Sequence, residues 1–303
     1  MDNTMNVAII LVNYNGLSDT IECLKSLENQ TYKNINIVII DNASINQEYY
    51  KLVEYIKQFK MRITVLKSDQ NVGFAGANNI GIKYAKNKFN SDFFLLLNND
   101  TLVKPDFLKQ LMLIANKDKN IGLVGAKIYY YPAKNKIWYA GGKINWFKYT
   151  TVHLGDTEID VGKYNEEVEV DFITGCVMLI KSNVIQEVGY LPEEYFMYYE
   201  DFDYCVQVKD AGFKLYYAPK SIVYHKISAS TGGEQSPFSI EYGTKNRRLI
   251  MRKYKNKISL PLYFLSKLYF YISRLVRITQ YLLQGNTGRA KAVVRGIFIN
   301  YED

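Results

Sequence analysis

Between residues 6 and 101 the chain alternates short, mainly apolar runs with amphipathic stretches, and few folds accommodate that rhythm. The runs at 6–12, 36–40, 63–67 and 93–97 are short and mostly rich in Ile, Val and Leu. Their length and apolar, largely β-branched content predict strands, that at 36–40 a buried one. Residues 18–28 carry Ile21, Leu24 and Leu27 at helical spacing behind Ser18, a candidate cap. Residues 47–59 set Leu52, Val53, Ile56 and Phe59 on one side, and 76–87 also read as a helix. Strands that alternate with helices of this length predict an α/β fold. Its central sheet is Rossmann-like and mostly parallel, with helices on both faces. Such sheets bind ligands at the carboxyl ends of their strands.

Those ends are where the polar residues gather. The first run closes in Val12-Asn13-Tyr14-Asn15-Gly16 and the second in Asp41-Asn42-Ala43-Ser44. The third leads into Asn71-Val72-Gly73-Phe74-Ala75-Gly76-Ala77-Asn78-Asn79, and the fourth closes in Asn98-Asn99-Asp100-Thr101. One such cluster is an ordinary turn or cap. Four along one sheet edge point to a ligand. Asp41 suits a hydrogen bond to a base or ribose edge, although an Asx turn would use it equally. A Gly-rich loop lets backbone approach a nucleotide. Asp100, otherwise a turn residue ahead of Pro105, suits a divalent cation held against a diphosphate.

After about Gly122 the rhythm breaks. Short Tyr-rich strands and turns are expected over 127–171, then a strand and helix over 172–188. An aromatic-acidic segment follows, in which Glu200 and Asp201 are adjacent and Asp203 is near. Neighbouring carboxylates raise one another's pKa toward the range of a general base. Acids that favour a helix N-terminus are the plainer reading of the same residues. Phe196, Tyr198, Tyr199, Phe202 and Tyr204 read equally as a sugar platform or as core.

The order and spacing of these segments resemble family 2 glycosyltransferases, and among them the rhamnosyltransferase-type branch. The matching text is VNYNG (12–16), DNAS (41–44), NVGFAGANN (71–79), LLLNNDT (95–101), DFITGCVMLIK (171–181), VGYLPEEYFMYYEDFDYC (188–205) and AGFKLYYAP (211–219). The resemblance covers about residues 6–230 and implies the GT-A fold. It implies an inverting transfer of one sugar, with L-rhamnose from dTDP-L-rhamnose ahead of UDP-hexoses, in cell-surface glycan synthesis. It assigns Val12, Asn13, Tyr14, Asn15 and Asp41 to the nucleoside, and Asn71, Gly73, Phe74 and Asn78 to the donor loop. The family's Asp-X-Asp motif falls on Asn98, Asn99 and Asp100, so only Asp100 brings charge. The resemblance further implies Asp201 as general base with Glu200 beside it, His225 as a second metal ligand, and Mn²⁺ or Mg²⁺ as cofactor. His153 has no motif around it and receives no role.

The charge is uneven. Of 38 Lys and Arg, thirteen lie between Tyr242 and Asn300, where there is no Asp or Glu. The remainder holds 25 basic and 30 acidic residues, a net of −5. Three scattered cysteines, Cys23, Cys176 and Cys205, fit a reducing cytosol and no disulfide framework. The segment 5–12 lacks the flanks of a secretory signal. The expected division is a catalytic domain over 1–240, split near 121 into donor and acceptor halves, and a basic helical tail over 241–303.

Within the tail, 260–283 places Leu262, Leu265, Leu268, Tyr269, Ile272, Leu275, Val276, Leu282 and Leu283 at helical spacing. Lys267, Arg274 and Arg277 fall on another face and argue against a span. An interfacial helix on an anionic leaflet is the expectation. Packing on the catalytic domain, or on a second copy in a homodimer, is the alternative. That places the enzyme in the cytoplasm, peripheral at the inner face of the membrane, with a saccharide or lipid-linked saccharide as acceptor. A nucleotidyltransferase would want Lys or Arg just after the first strand, where none occurs before Lys25. The basic tail also raised nucleic-acid binding, but no such motif accompanies it.

Overall fold

The computed structural model describes residues 5–227 and 235–299. They form two units. The first takes in the described residues through 143 with 153–196 and 200–227. The second takes in 144–152, 197–199 and the described residues from 235 onward.

The first unit is built on one large sheet. Its opening half runs β1 (Val7–Asn13), α1 (Leu17–Glu28), β2 (Ile35–Asp41), α2 (Glu48–Tyr55), β3 (Ile63–Lys67), α3 (Gly73–Phe89) and β4 (Phe93–Leu97). Strand β1 pairs in parallel with both β2 and β4, and β2 with β3. The expected strands are therefore present in parallel, within a residue or two at each end. Then follow β5 (Thr101–Val103), α4 (Phe107–Ala115), β6 (Ile121–Tyr130), β7 (Ile137–Tyr139), β8 (Gly142–Asn145), β9 (Thr150–His153), β10 (Val168–Glu169), β11 (Val177–Lys181), α5 (Ser182–Glu187), α6 (Glu200–Asp210) and β12 (Lys214–His225). The sheet order is β10-β12-β6-β11-β4-β1-β2-β3, with β5 on β12 and β7 on β6. Strands β8 and β9 make a separate pair.

Strand β11 enters antiparallel between β4 and β6, so the sheet is mixed where the two halves meet. Its core is aliphatic: Val7 to Leu11, Val38 to Ile40 and Phe94 to Leu96 are all fully buried. Close packing leaves no room over α3, where a Cβ at Gly81 would come within 2.5 Å of Ile10 and 2.8 Å of Ile40.

Three local expectations differ. Ser18 does not cap α1; Gly16 is the N-cap, no side chain caps it, and Asp19 supplies the acid of the first turn. The second helix ends at Tyr55 and continues only as a 3₁₀ turn, Ile56–Gln58. The third begins at Gly73, because the Gly-rich loop itself folds into the first turn.

The second unit contains α7 (Pro237–Lys253), α8 (Leu260–Leu283) and α9 (Thr287–Phe298). Ser236 caps α7 ahead of Pro237, and Asn286 caps α9. Helix α7 runs through residue 240, and the segment 144–152 joins this unit. Only Ser266, Phe270 and Tyr281 of α8 are buried. All nine apolar positions picked out in the sequence, from Leu262 to Leu283, are exposed, Leu275 at 62% and Leu283 at 84%. No described helix is long and apolar enough to cross a membrane.

Candidate active site

The first strand ends cluster through hydrogen bonds. Asn13 Nδ2 donates to Asp41 Oδ2 at 2.9 Å and to Ser44 Oγ at 3.1 Å, while Asn13 Oδ1 accepts from Thr20 at 2.9 Å. Asp41 Oδ1 accepts from the Ser44 amide at 3.1 Å. Asn13 and Asp41 are fully buried and direct these bonds to protein. Around them Val12 and Tyr14 are half-buried and Asn15 is exposed. Asn15 sits at φ +53 and takes the Ile45 amide on its side chain. The pair thus braces the β1 and β2 ends, and Tyr14 and Asn15 are the members that reach solvent.

The Gly-rich loop is fixed more tightly. Asn71 Oδ1 accepts from Asn42 Nδ2 at 2.9 Å and from the Gly73 amide at 3.0 Å. Gly73 has φ +74, and a Cβ there would lie 2.2 Å from the Phe196 carbonyl oxygen, so only glycine fits. The Phe74 amide donates to that same oxygen at 2.8 Å. Asn78 is buried and donates to the Phe74 carbonyl at 2.9 Å. A Cβ on Gly175 would meet the Phe74 ring at 3.0 Å, which puts the ring directly over Gly175.

Gly175 then leads to the carboxylates. Its amide donates to Asp201 Oδ2 at 3.0 Å, and the Phe202 amide donates to Asp201 Oδ1 at 2.8 Å. Asp201 is partly exposed and doubly held, whereas Glu200 is buried and its Oε2 has no partner. Burial and the neighbouring Asp201 charge push the Glu200 carboxyl well above the usual carboxylate range. Burial also raises Asp201, against the two backbone donors. Asp203 is engaged by Tyr195 and Gln207 and serves the packing. Phe202 and Tyr204 are core, while Phe196, Tyr198 and Tyr199 remain half-buried, so the expected aromatic platform is reduced to these three.

The turn ahead of α6 is left-handed at three non-glycine residues, Phe196 (φ +61), Tyr198 (φ +69) and Tyr199 (φ +77). Such a run is costly and occurs where surroundings over-determine it. Within the second unit Asn246 Nδ2 donates to the carbonyls of Met197 and Tyr198, and Ser239 bonds the Tyr198 hydroxyl.

The fourth strand end meets β12. Antiparallel register sets His225 opposite Thr101, and the Lys226 amide donates to the Asp100 carbonyl. This brings His225 Nε2 to 3.1 Å from Asp100 Oδ1. Asn98 donates its amide to the Cys176 carbonyl, and Asn99 Nδ2 donates to Thr20. Burial opposes a charge on His225, but Cys176 and Asp100 beside it outweigh that and raise its pKa above the ordinary range. Burial also raises the Cys176 thiol, which is therefore neutral, so Asp100 is the counter-ion.

Asp100 Oδ1 is buried without a hydrogen-bond partner. A carboxylate oxygen whose one close neighbour is an imidazole nitrogen fits a hard divalent cation as two ligands, the cation taking the place of the imidazole proton. Among the described residues no three His, Cys, Asp or Glu side chains gather as a metal-binding group. Among the described residues Asp100 and His225 are the two at this strand end that could hold such a cation.

Three participants were not singled out in the sequence. Trp138 packs edge-to-face on both His225 and His153, with centroids 4.7 Å from each. Cys176 touches His225, and Gly175 holds Asp201; the latter two lie in the segment FITGC, whose lone Gly before a strand was the available signal.

Residues 8–188 match the family described as Glycosyl transferase family 2. The chain belongs to that family. It is 26% identical over 217 residues to rhamnosyltransferase WbbL of Escherichia coli, covering 66% of this chain and 81% of WbbL. It is 25% identical over 209 residues to Agl10 of Haloferax volcanii, a low-salt glycan biosynthesis hexosyltransferase, covering 67% of this chain and 62% of that protein. A protein of Sinorhizobium fredii is 25% identical over 248 residues, and there the family 2 chain spans only 26% of its relative. The fold resembles GalNAc-T7 crystallised with UDP, GalNAc and Mn²⁺, with a TM-score of 0.69, 21% identity, and 96% of this chain covering 55% of that one. It also resembles the mannosyltransferase PcManGT of Pyrobaculum calidifontis with GDP-Man and Mn²⁺, at a TM-score of 0.59 and 13% identity over 98% and 87% of the two chains. The expected GT-A fold is thereby established for this glycosyltransferase family member.

Proposed function

We propose that this chain is an inverting, metal-dependent glycosyltransferase that moves one sugar from a nucleotide-sugar to an acceptor hydroxyl. The observation that carries this reading is the chain of contacts from the donor loop through Phe74 and Gly175 to Asp201. It sets a carboxylate with fixed orientation beside the loop that would line the donor.

Tyr14 and Asn15 would meet the nucleoside, with Val12, Asn13 and Asp41 bracing them. Asn71, Gly73, Phe74 and Asn78 would shape the wall of the sugar site, and Asn98 and Asn99 its floor beside Asp100. Asp201 takes the proton from the acceptor hydroxyl as its oxygen attacks the anomeric carbon, and the nucleoside diphosphate leaves on the opposite side. Glu200, buried and protonated, keeps a second negative charge away from that base. Asp100 and His225 would hold Mn²⁺ or Mg²⁺, which supplies Lewis-acid stabilisation of the leaving diphosphate.

For the donor, dTDP-L-rhamnose is the first choice, supported by the likeness to WbbL and by the sequence pattern. Incubation with a panel of dTDP-, UDP- and GDP-sugars, with and without Mn²⁺, should give metal-dependent hydrolysis of one donor. No hydrolysis of any, with or without metal, would overturn the transferase reading.

The acceptor is a lipid-linked saccharide in cell-surface glycan synthesis, reached from the cytoplasmic face. What supports this is α8, which turns its leucines outward and its arginine Arg274 inward, the reverse of a helix adapted to water. An exposed apolar face beside the acid-free segment 242–299 suits an anionic leaflet, where each surface Lys or Arg adds about 1 kcal/mol. Flotation with liposomes of graded anionic content should carry the full chain and leave a truncation at residue 240 behind. Binding indifferent to both lipid charge and truncation would exclude the leaflet. A concentration-dependent dimer would instead assign the face to a second copy.

A further inference from the structure

The second unit contains buried charge that no carboxylate among its described residues answers. Arg247 of α7 is buried to 6% exposure, and its Nε and Nη2 have no hydrogen-bond partner. Arg274 of α8 is largely buried, and its Nε has none; its one bond is a long 3.4 Å contact from Nη1 to Thr244 Oγ1. The two guanidiniums converge on one ring, lying 5.2 and 5.4 Å from the centroid of Phe270. Arg277, one turn along α8 from Arg274, is exposed and close enough to weaken the charge of both.

Burial leads the causes that lower the affinity of Arg247 and Arg274 for their protons, and their mutual proximity adds to it for Arg274, down to about 10. No carboxylate is among the causes that act on either guanidinium. Among the described residues of this unit the sole acid is Glu241, and it bonds Arg295 at 2.6 Å.

A buried cation without hydrogen bonds costs several kcal/mol, and a buried like-charged pair costs more. Stacking on Phe270 recovers only part of that cost. A buried polar group left without partners calls for a reason, and an ion that completes it is one. The free donors, two on Arg247 and one on Arg274, with Arg277 at the rim, form a fork suited to the oxygens of a phosphate.

We infer that Arg247, Arg274 and Arg277 form a binding site for a phosphate or diphosphate group, distinct from the donor site. Arg274 and Arg277 stand on the helix that also carries a row of exposed leucines. A phosphate attached to an acyl or polyprenyl chain would therefore satisfy both features at once: anion in the fork, chain along α8. A free phosphate or pyrophosphate would satisfy only the first. The site itself does not depend on the transferase reading; its lipid form depends on α8 meeting a bilayer.

The first test is thermal unfolding of the EDTA-treated full chain, without sugar donor, as inorganic pyrophosphate is titrated. Wild-type protein should gain several degrees with saturation. Arg247→Met and Arg274→Met should bind pyrophosphate at least tenfold more weakly, and without anion they should melt at or above the wild-type temperature, because each removes an uncompensated buried charge. Variants that melt well below wild type yet keep the full pyrophosphate response would overturn the site and make the two arginines stacking struts. Because metal and donor are absent, failure of the catalytic reading leaves this result unmoved.

The second arm uses phosphatidylcholine vesicles with and without a few per cent of a long-chain polyprenyl phosphate. Flotation that rises with the polyprenyl phosphate and falls in Arg274→Met supports the lipid headgroup as ligand. A pyrophosphate response without any response to the lipid phosphate keeps the site and assigns it to a free anion.

Discussion

Asp201→Asn should leave the fold and donor binding intact and lower sugar transfer by ~10²–10⁴, the usual range for removal of a general base. The amide keeps one acceptor oxygen for the Phe202 N–H that opens α6 and gives up the second bond, from Gly175, and it has no capacity to take the acceptor proton. Glu200→Gln should do the opposite. Glu200 is buried with a partnerless Oε2 and a raised pKa, so the side chain already carries a proton at neutral pH. The folded protein therefore holds a proton that the unfolded chain has lost above pH ~4.3, and stability falls as pH rises from there toward the raised folded value. The Gln variant should retain most transfer and should not lose stability over that range. Measured together, turnover and melting temperature against pH separate the pair. Near wild-type turnover in Asp201→Asn with a dead Glu200→Gln would reverse the two roles, and full activity in both would move the base elsewhere.

The parallel half of the sheet was legible because its signal is local. Each strand is a short Ile, Val or Leu run, each helix has one apolar face, and both periods are properties of contiguous residues. The strand-end clusters followed from the same rule, since a parallel sheet must gather its carboxyl ends on one edge. What escaped the sequence depends on residues far apart. The lone Gly of FITGC marks a turn before a strand, but it does not announce that its amide will hold a carboxylate 26 positions later. That bond exists because β11 runs antiparallel between β4 and β6, a pairing with no local signature. His225 meets Asp100 through the β5–β12 register, and the three-residue strand β5 is too short for any period to reveal it.

The aromatic segment divided for a similar reason. Phe202 and Tyr204 lie inside α6 with their faces set by the helix, whereas Phe196, Tyr198 and Tyr199 precede it in a left-handed turn. Left-handed φ values at three bulky residues run against local preference, so no reading of propensity finds them. The tail shows the converse. Its helix, Leu260–Leu283, was located to the residue by periodicity, but periodicity alone does not say what the apolar face touches. Exposure at all nine positions is a tertiary fact, and it is the one that turns a packing helix into a candidate interface.

Asp100→Ala should remove metal-dependent donor binding, by more than the ~10–100-fold that loss of an outer partner of a metal ligand costs. His225→Ala should weaken it by about that smaller range. The asymmetry is one of charge. Asn98 and Asn99 are neutral, so Asp100 brings the only anionic oxygen of its motif, and hard divalent cations favour anionic oxygen over neutral nitrogen. The substitution has a side effect that must be told apart from the main one. Removing the carboxylate strands a buried imidazole whose proton Asp100 supports, which costs stability by itself. Asp100→Asn, of the same shape, limits that loss because its amide oxygen can accept from the Nε2–H of a neutral His225. Calorimetry on EDTA-stripped protein, with donor titrated before and after Mn²⁺ is restored, should show tight binding only in wild type with metal. The Asn variant should stay folded and bind donor no better with Mn²⁺ than without. Full donor affinity in stripped wild-type protein would remove the metal from the reaction, and Asp100 with His225 would then be an ion pair that fastens β5 to β12.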